Sequence, residues 1–215
     1  MFSSTTRQRI SRPYMWAVMA LGAAASAYTV TQLQPEALGL RFLLISLVTL
    51  AFGSRVSVEI PRVRGKISIS DTFIFFALLF FGGEAAILLA AADAFCSSLR
   101  ITKKKMVMGF NAGVYVCSTF LTVWALRFFF GNDLRQLPLG DSSAYISAVC
   151  VMALVQYVFN SGMVAAGVAL RQGLPVWQMW RQNFLWTSIT YFAGASAAGI
   201  IVRLVDAFGL YAFLA

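Results

Sequence analysis

The feature that most limits what this chain can fold into is a succession of apolar runs, each closed by charged or turn residues and most of them long enough to cross a bilayer. A helix rises about 1.5 Å per residue, so roughly 20 residues cover the ~30 Å of hydrocarbon in a membrane. Runs of that order lie at 14–33, 38–53, 69–81, 85–99, 106–130, 144–170 and 185–204, with a half-length piece at 207–215. A soluble fold could not hide them. Of the 215 residues 60% are hydrophobic and only 12% charged, against about a quarter charged in soluble domains. The sequence therefore predicts an all-α integral membrane protein, a polytopic helical bundle of about seven spans plus a truncated eighth.

Orientation follows from the basic residues, because cytoplasmic loops hold the excess of Lys and Arg. On one side fall Arg7, Arg9, Arg12, Arg55, Arg62, Arg64, Lys66, Arg100, Lys103, Lys104, Lys105, Arg171 and Arg181. The other side receives Arg41, Arg127, Arg135 and Arg203. The first side, and with it the basic N-terminus at 1–13, is expected in the cytoplasm, and 14–215 is expected to form one transmembrane domain in a cell inner membrane. Ala23 to Ala27 offer A-x-A matches that leave a cleaved signal peptide as the other reading of the first run. The half-length piece after Asp206 is too short to cross, which predicts that the sequence is part of a longer chain whose next helix leads to the cytoplasm.

Two segments are not spans. Between Arg55 and Ser70, Val56, Val58 and Ile60 alternate with Ser57 and Glu59, and Ile67 and Ile69 with Ser68 and Ser70, around Pro61 to Gly65. That period of two predicts a short hairpin-like segment at the cytoplasmic headgroup level. Residues 173–185 place Trp177, Trp180 and Phe184 at helical spacing behind Pro175, the pattern of an interfacial helix with Trp177 and Trp180 as anchors. An ordinary linker is the alternative for each.

Ionisable residues within hydrocarbon cost several kcal/mol and face the bundle interior. Asp93 stands mid-run among alanines, too far from either end to reach the headgroups, and is a candidate for ligand or proton-linked function or for a packing hydrogen bond. Asn111 and Asn160 are the other polar candidates, suited to bonds between helices. Asp71 and Glu84 begin the third and fourth runs, where a carboxylate caps a helix. Ala86, Ala90 and Ala94, and Gly194 with Ala198, are spaced by four and allow close helix approach. Cys96, Cys117 and Cys150 lie inside apolar runs, unlike a secreted disulfide framework. The chain has no histidine, which removes the Ser-His-Asp triad and the His-dependent zinc motifs. No catalytic residue, metal or cofactor is expected.

The stretch Ile67-Ser68-Ile69-Ser70-Asp71-Thr72-Phe73, with Phe81-Gly82-Gly83-Glu84-Ala85-Ala86, Asp93, Ser97-Ser98-Leu99-Arg100 and Phe110-Asn111, resembles the membrane sensor regions at the N-terminus of bacterial signalling proteins. In that family a cytoplasmic GGDEF or HD-type domain follows, so the resemblance implies an input module coupled to cyclic-dinucleotide turnover. The size, the glycine turn and the acidic, alanine-rich helix are also similar to substrate-binding membrane subunits of energy-coupling-factor vitamin transporters, although their long external loop has no counterpart here. Expected partners are the lipid bilayer, a second copy of the chain and an output domain in cis. Nucleic acid is not among them, because the positive charge punctuates apolar runs instead of forming a patch.

Overall fold

A computed structural model of the protein describes residues 4–53, 57–59, 66–68, 70–101, 103–132 and 142–209. Within them the chain forms eight α-helices and one small hairpin: α1 (Ser4–Gln32), α2 (Leu40–Val48), β1 (Ser57–Glu59), β2 (Lys66–Ser68), α3 (Ser70–Phe81), α4 (Gly83–Ile101), α5 (Lys105–Phe130), α6 (Ser142–Gln172), α7 (Val176–Asn183) and α8 (Ser188–Phe208). Helices occupy the predicted apolar runs because an isolated run of this kind satisfies its backbone groups only within itself. Three of them are long and apolar enough to cross a membrane by length and composition: Lys105–Phe130, Ser142–Gln172 and Leu185–Phe208.

The others depart from a set of equal spans. α2 runs into a π-helical turn at Thr49–Gly53, and α3 has only 12 residues, about 18 Å at 1.5 Å each. α1 starts at Ser4, so helix continues without a break through Pro13 and the basic segment before Tyr14. The last run reaches Phe208 instead of Leu204, and Gly209, at φ +79°, ends it by adopting a backbone conformation that residues with a Cβ avoid. Residues 210–215, most of the piece expected as an eighth run, lie outside the described residues. β1 and β2 pair antiparallel in the register Ser57 with Ser68, Val58 with Ile67 and Glu59 with Lys66, within the segment where the period-two alternation placed a hairpin.

α3 is buried on every side along its middle, from Ile74 through Leu79. It packs between α4 and α8, α5 and α6 follow α4 as antiparallel neighbours, and α1 lies along α5 and α6. The α1–α5 crossing is made by two glycines. A Cβ built on Gly22 would come within 2.7 Å of Gly113 Cα, closer than any side chain tolerates. α7 packs against the end of α6. Trp177 is exposed there, but Trp180 turns inward, stacks on Trp177 and donates from Nε1 to Ser161 Oγ at 2.8 Å. Of the two expected anchors, only Trp177 points away from the bundle, because Trp180 packs against Ala165, Ala169 and Met179 and finds Ser161 as acceptor.

Candidate functional site

Gly82, at φ +100°, reverses the chain between α3 and α4. Residues equally far from such a turn come level on the two antiparallel helices, and Asp71 and Asp93 each stand eleven residues from Gly82. They are electrostatic neighbours in the interior of the bundle, 8% and 4% exposed. α5 and α8 complete the surroundings. The Tyr115 hydroxyl of α5 donates to Asp71 Oδ1. Ser70 donates to Asp93, and Arg100, two turns further along α4, lies within electrostatic reach of it. Tyr191 of α8 is buried beside Asp71 and packs its ring against Phe75. Gly194 permits this approach, since a Cβ there would lie 3.3 Å from Thr72 Oγ1 and 3.8 Å from Asp71 Cβ.

Asp93 Oδ1 is buried and meets no hydrogen-bond partner among the described residues. An unsatisfied buried acceptor of this kind costs about 1–3 kcal/mol, and it leaves Asp93 Oδ1 able to accept a further donor. The group assembled here is all oxygen: two carboxylates and the hydroxyls of Ser70, Tyr115 and Tyr191. Such a set suits a proton, a hydrogen-bond donor or a hard monovalent cation. Among the described residues no three His, Cys, Asp or Glu side chains cluster as metal ligands would.

The remaining predicted residues divide between this site and other seams. Asp71 sits in the first turn of α3, where capping places a carboxylate, and in addition ties α3 to α5 through Tyr115. Glu84 occupies the first turn of α4, and its Oε1 pairs with Arg127 Nη2 of α5 at 2.5 Å. Asn111 lies one turn before Tyr115 and donates to Ser98 Oγ at 3.4 Å, so it belongs to the same α4–α5 seam as the acidic pair. Asn160 does not. It donates to Ser118 Oγ at 3.3 Å in a second polar layer between α5 and α6, centred on Gln156. Gln156 is 1% exposed and meets Thr122 at 2.8 Å and Ser118 and Thr119 at 3.2 Å each.

Sequence reasoning missed Tyr115, Ser70, Tyr191 and Gln156. The equal spacing of the two aspartates about Gly82 was a usable signal for the pair, since it needs only the turn and two helices. Nothing comparable marks the tyrosines, which look like ordinary apolar residues until the helices are packed. The chain has no significant match among protein-family models, curated proteins or solved structures.

Proposed function

We propose that the chain is a multi-pass domain of a bacterial inner membrane with its N-terminus in the cytoplasm, and that it serves as the sensor or input module of a signalling protein with a cytoplasmic output. Two features support the membrane setting. Large apolar side chains such as Leu21, Leu40, Phe128, Phe129, Ile146 and Ile200 point outward, while Gln156, Asn160, Thr122, Asp71 and Asp93 are buried. That is the inverse of a soluble protein, and it suits lipid as solvent. Contacts between elements also join ends that the basic-residue count puts on one side. Arg127 pairs with Glu84, and Arg203 lies 4.7 Å over the Tyr145 ring, all at the expected external ends.

The observation that carries the sensory reading is the buried pair Asp71 and Asp93 on two helices joined by the tight Gly82 turn. Charge or ligand occupancy at such a pair changes the interaction between α3 and α4, which the Ser70 bond joins, and the Tyr115 bond transmits that change to α5. The charged and titratable groups around it are Asp71, Asp93, Tyr115, Tyr191 and Arg100. Chromosomal Asp71→Asn and Asp93→Asn changes, combined, test the reading. Cellular cyclic-dinucleotide level is measured over a range of external pH and sodium, with the protein's membrane level checked by immunoblot. The parent is expected to respond and the double variant to stay at one output. A double variant that responds like the parent overturns the sensory reading. A variant unchanged in cyclic dinucleotide but impaired in vitamin uptake favours a transporter subunit.

Topology is tested separately in a background where Cys96, Cys117 and Cys150 are replaced by alanine. A cysteine at Asn132 is expected to react with an impermeant maleimide in intact spheroplasts, and one at Lys104 only after permeabilisation. Equal labelling of both before permeabilisation rules the orientation out.

A further inference from the structure

Away from the acidic pair, at the opposite seam of the bundle, three cations meet. A cavity of about 240 Å³ is lined by Arg12 from α1, Lys104 from the segment entering α5 and Arg171 from the last turn of α6, with Ser11 beside them and Met15 and Val107 below. These residues are far apart in sequence. They are brought together because Gly22 and Gly113 let α1 lie directly on α5, and because Tyr14, two residues beyond Arg12, donates its hydroxyl to Met163 O of α6 at 3.0 Å.

Like charges that converge in a partly enclosed space repel one another, and none of the acidic side chains described, Asp71, Glu84, Asp93 or Asp206, lines the cavity. The N-terminus of α5 opens into the same space, so the helix adds its own positive end. The height of the site is defined by the sequence. Arg12 precedes the apolar run at Tyr14 by two residues, Lys104 precedes Met106 by two, and Arg171 directly follows Leu170. All three stand where apolar runs meet the basic loops, which in the membrane setting proposed above is the level of headgroups, and the floor of Met15 and Val107 is apolar enough to lie against an acyl or glyceryl segment.

We propose that this cavity binds a phosphate oxyanion, carried either by an anionic phospholipid or by a soluble phosphate, with Arg12 and Arg171 as paired guanidinium donors and the start of α5 as a third source of positive potential. Guanidinium suits the task because its planar fork meets two phosphate oxygens at once. The proposal is independent of the acidic pair and of any signalling role.

The test uses the chain in phosphatidylcholine nanodiscs with and without phosphatidylglycerol. Tightly held lipid is quantified by mass spectrometry after detergent exchange, and thermal stability is measured with and without inorganic phosphate. The parent is compared with the double variant Arg12→Gln, Arg171→Gln and with Arg181→Gln, which removes an exposed charge on α7 outside the cavity. Arg12 and Arg171 are both exposed, and an unchanged elution profile and melting temperature in plain phosphatidylcholine certify the double variant as folded.

Selective retention of phosphatidylglycerol by the parent and by Arg181→Gln, weakened roughly 30-fold in the double variant, supports a lipid source. Stabilisation by inorganic phosphate in phosphatidylcholine alone, lost in the double variant, supports a soluble source. Binding of both probes by the double variant as by the parent overturns the proposal. So does an equal loss in Arg181→Gln, or the absence of binding by the parent.

Discussion

Asp71→Leu destabilises the bundle by about 2 kcal/mol, while Asp71→Asn leaves it as stable as the parent or slightly more so. Leucine removes the acceptor of the Tyr115 hydroxyl and strands that donor in a part-buried site between α3 and α5. Asparagine keeps the bond, because its amide oxygen still accepts from Tyr115. Asp93→Leu is expected to cost less, about 1 kcal/mol, since its bond from Ser70 is lost but an already unpartnered oxygen goes with it. Denaturant or thermal melts in detergent give the order, with asparagine above leucine at both positions. Leucine and asparagine variants of equal stability at residue 71 would mean that Tyr115 does not depend on that carboxylate.

The second large effect is steric. Gly22→Leu is expected to lower stability by about 3 kcal/mol by forcing α1 off α5. The first atom the new side chain meets is Gly113 Cα at 2.7 Å, followed by Gly113 O at 3.1 Å, and backbone cannot swing aside as a flexible side chain can. Gly113→Leu acts on the same contact from the other helix, where a Cβ would approach Val18 O at 2.9 Å. Gly162→Ala is the control, for no atom lies within 4 Å of a Cβ there and alanine favours helix by roughly 0.5–1 kcal/mol. A melting temperature for Gly22→Leu equal to that of Gly162→Ala would refute the α1–α5 crossing. The loss of this crossing also takes Arg12 away from the phosphate cavity, so the variant doubles as a check on how that cavity is assembled.

Helix positions were legible in the residues alone, because a continuous apolar run bounded by charge leaves a backbone few ways to satisfy its hydrogen bonds. The boundaries from Ser70 to Phe81 and from Lys105 to Phe130 fall within a residue of the runs that predict them. Where sequence reading stopped short, the reason was the same each time. Apolar helices look alike from every side, so composition states that α3 is a helix without stating that its middle is buried on every side. Trp180 shares its spacing with Trp177, and only the position of α6 decides that one indole bonds Ser161 while the other points away.

The chain by itself determined where the helices run, which charges were expected to share a side, and which polar residues had to find partners inside. Partner choice belonged to the tertiary structure. Asp71 and Asp93 meet because the Gly82 turn sets two helices antiparallel, and Asn160 joins Gln156 instead of that pair because α6 presents it to α5 a layer away. Arg12, Lys104 and Arg171 converge for a further reason, the absence of two Cβ atoms at Gly22 and Gly113, which lets helices distant in sequence touch. Local pattern encodes what each helix must bury, and only the packed bundle decides against what.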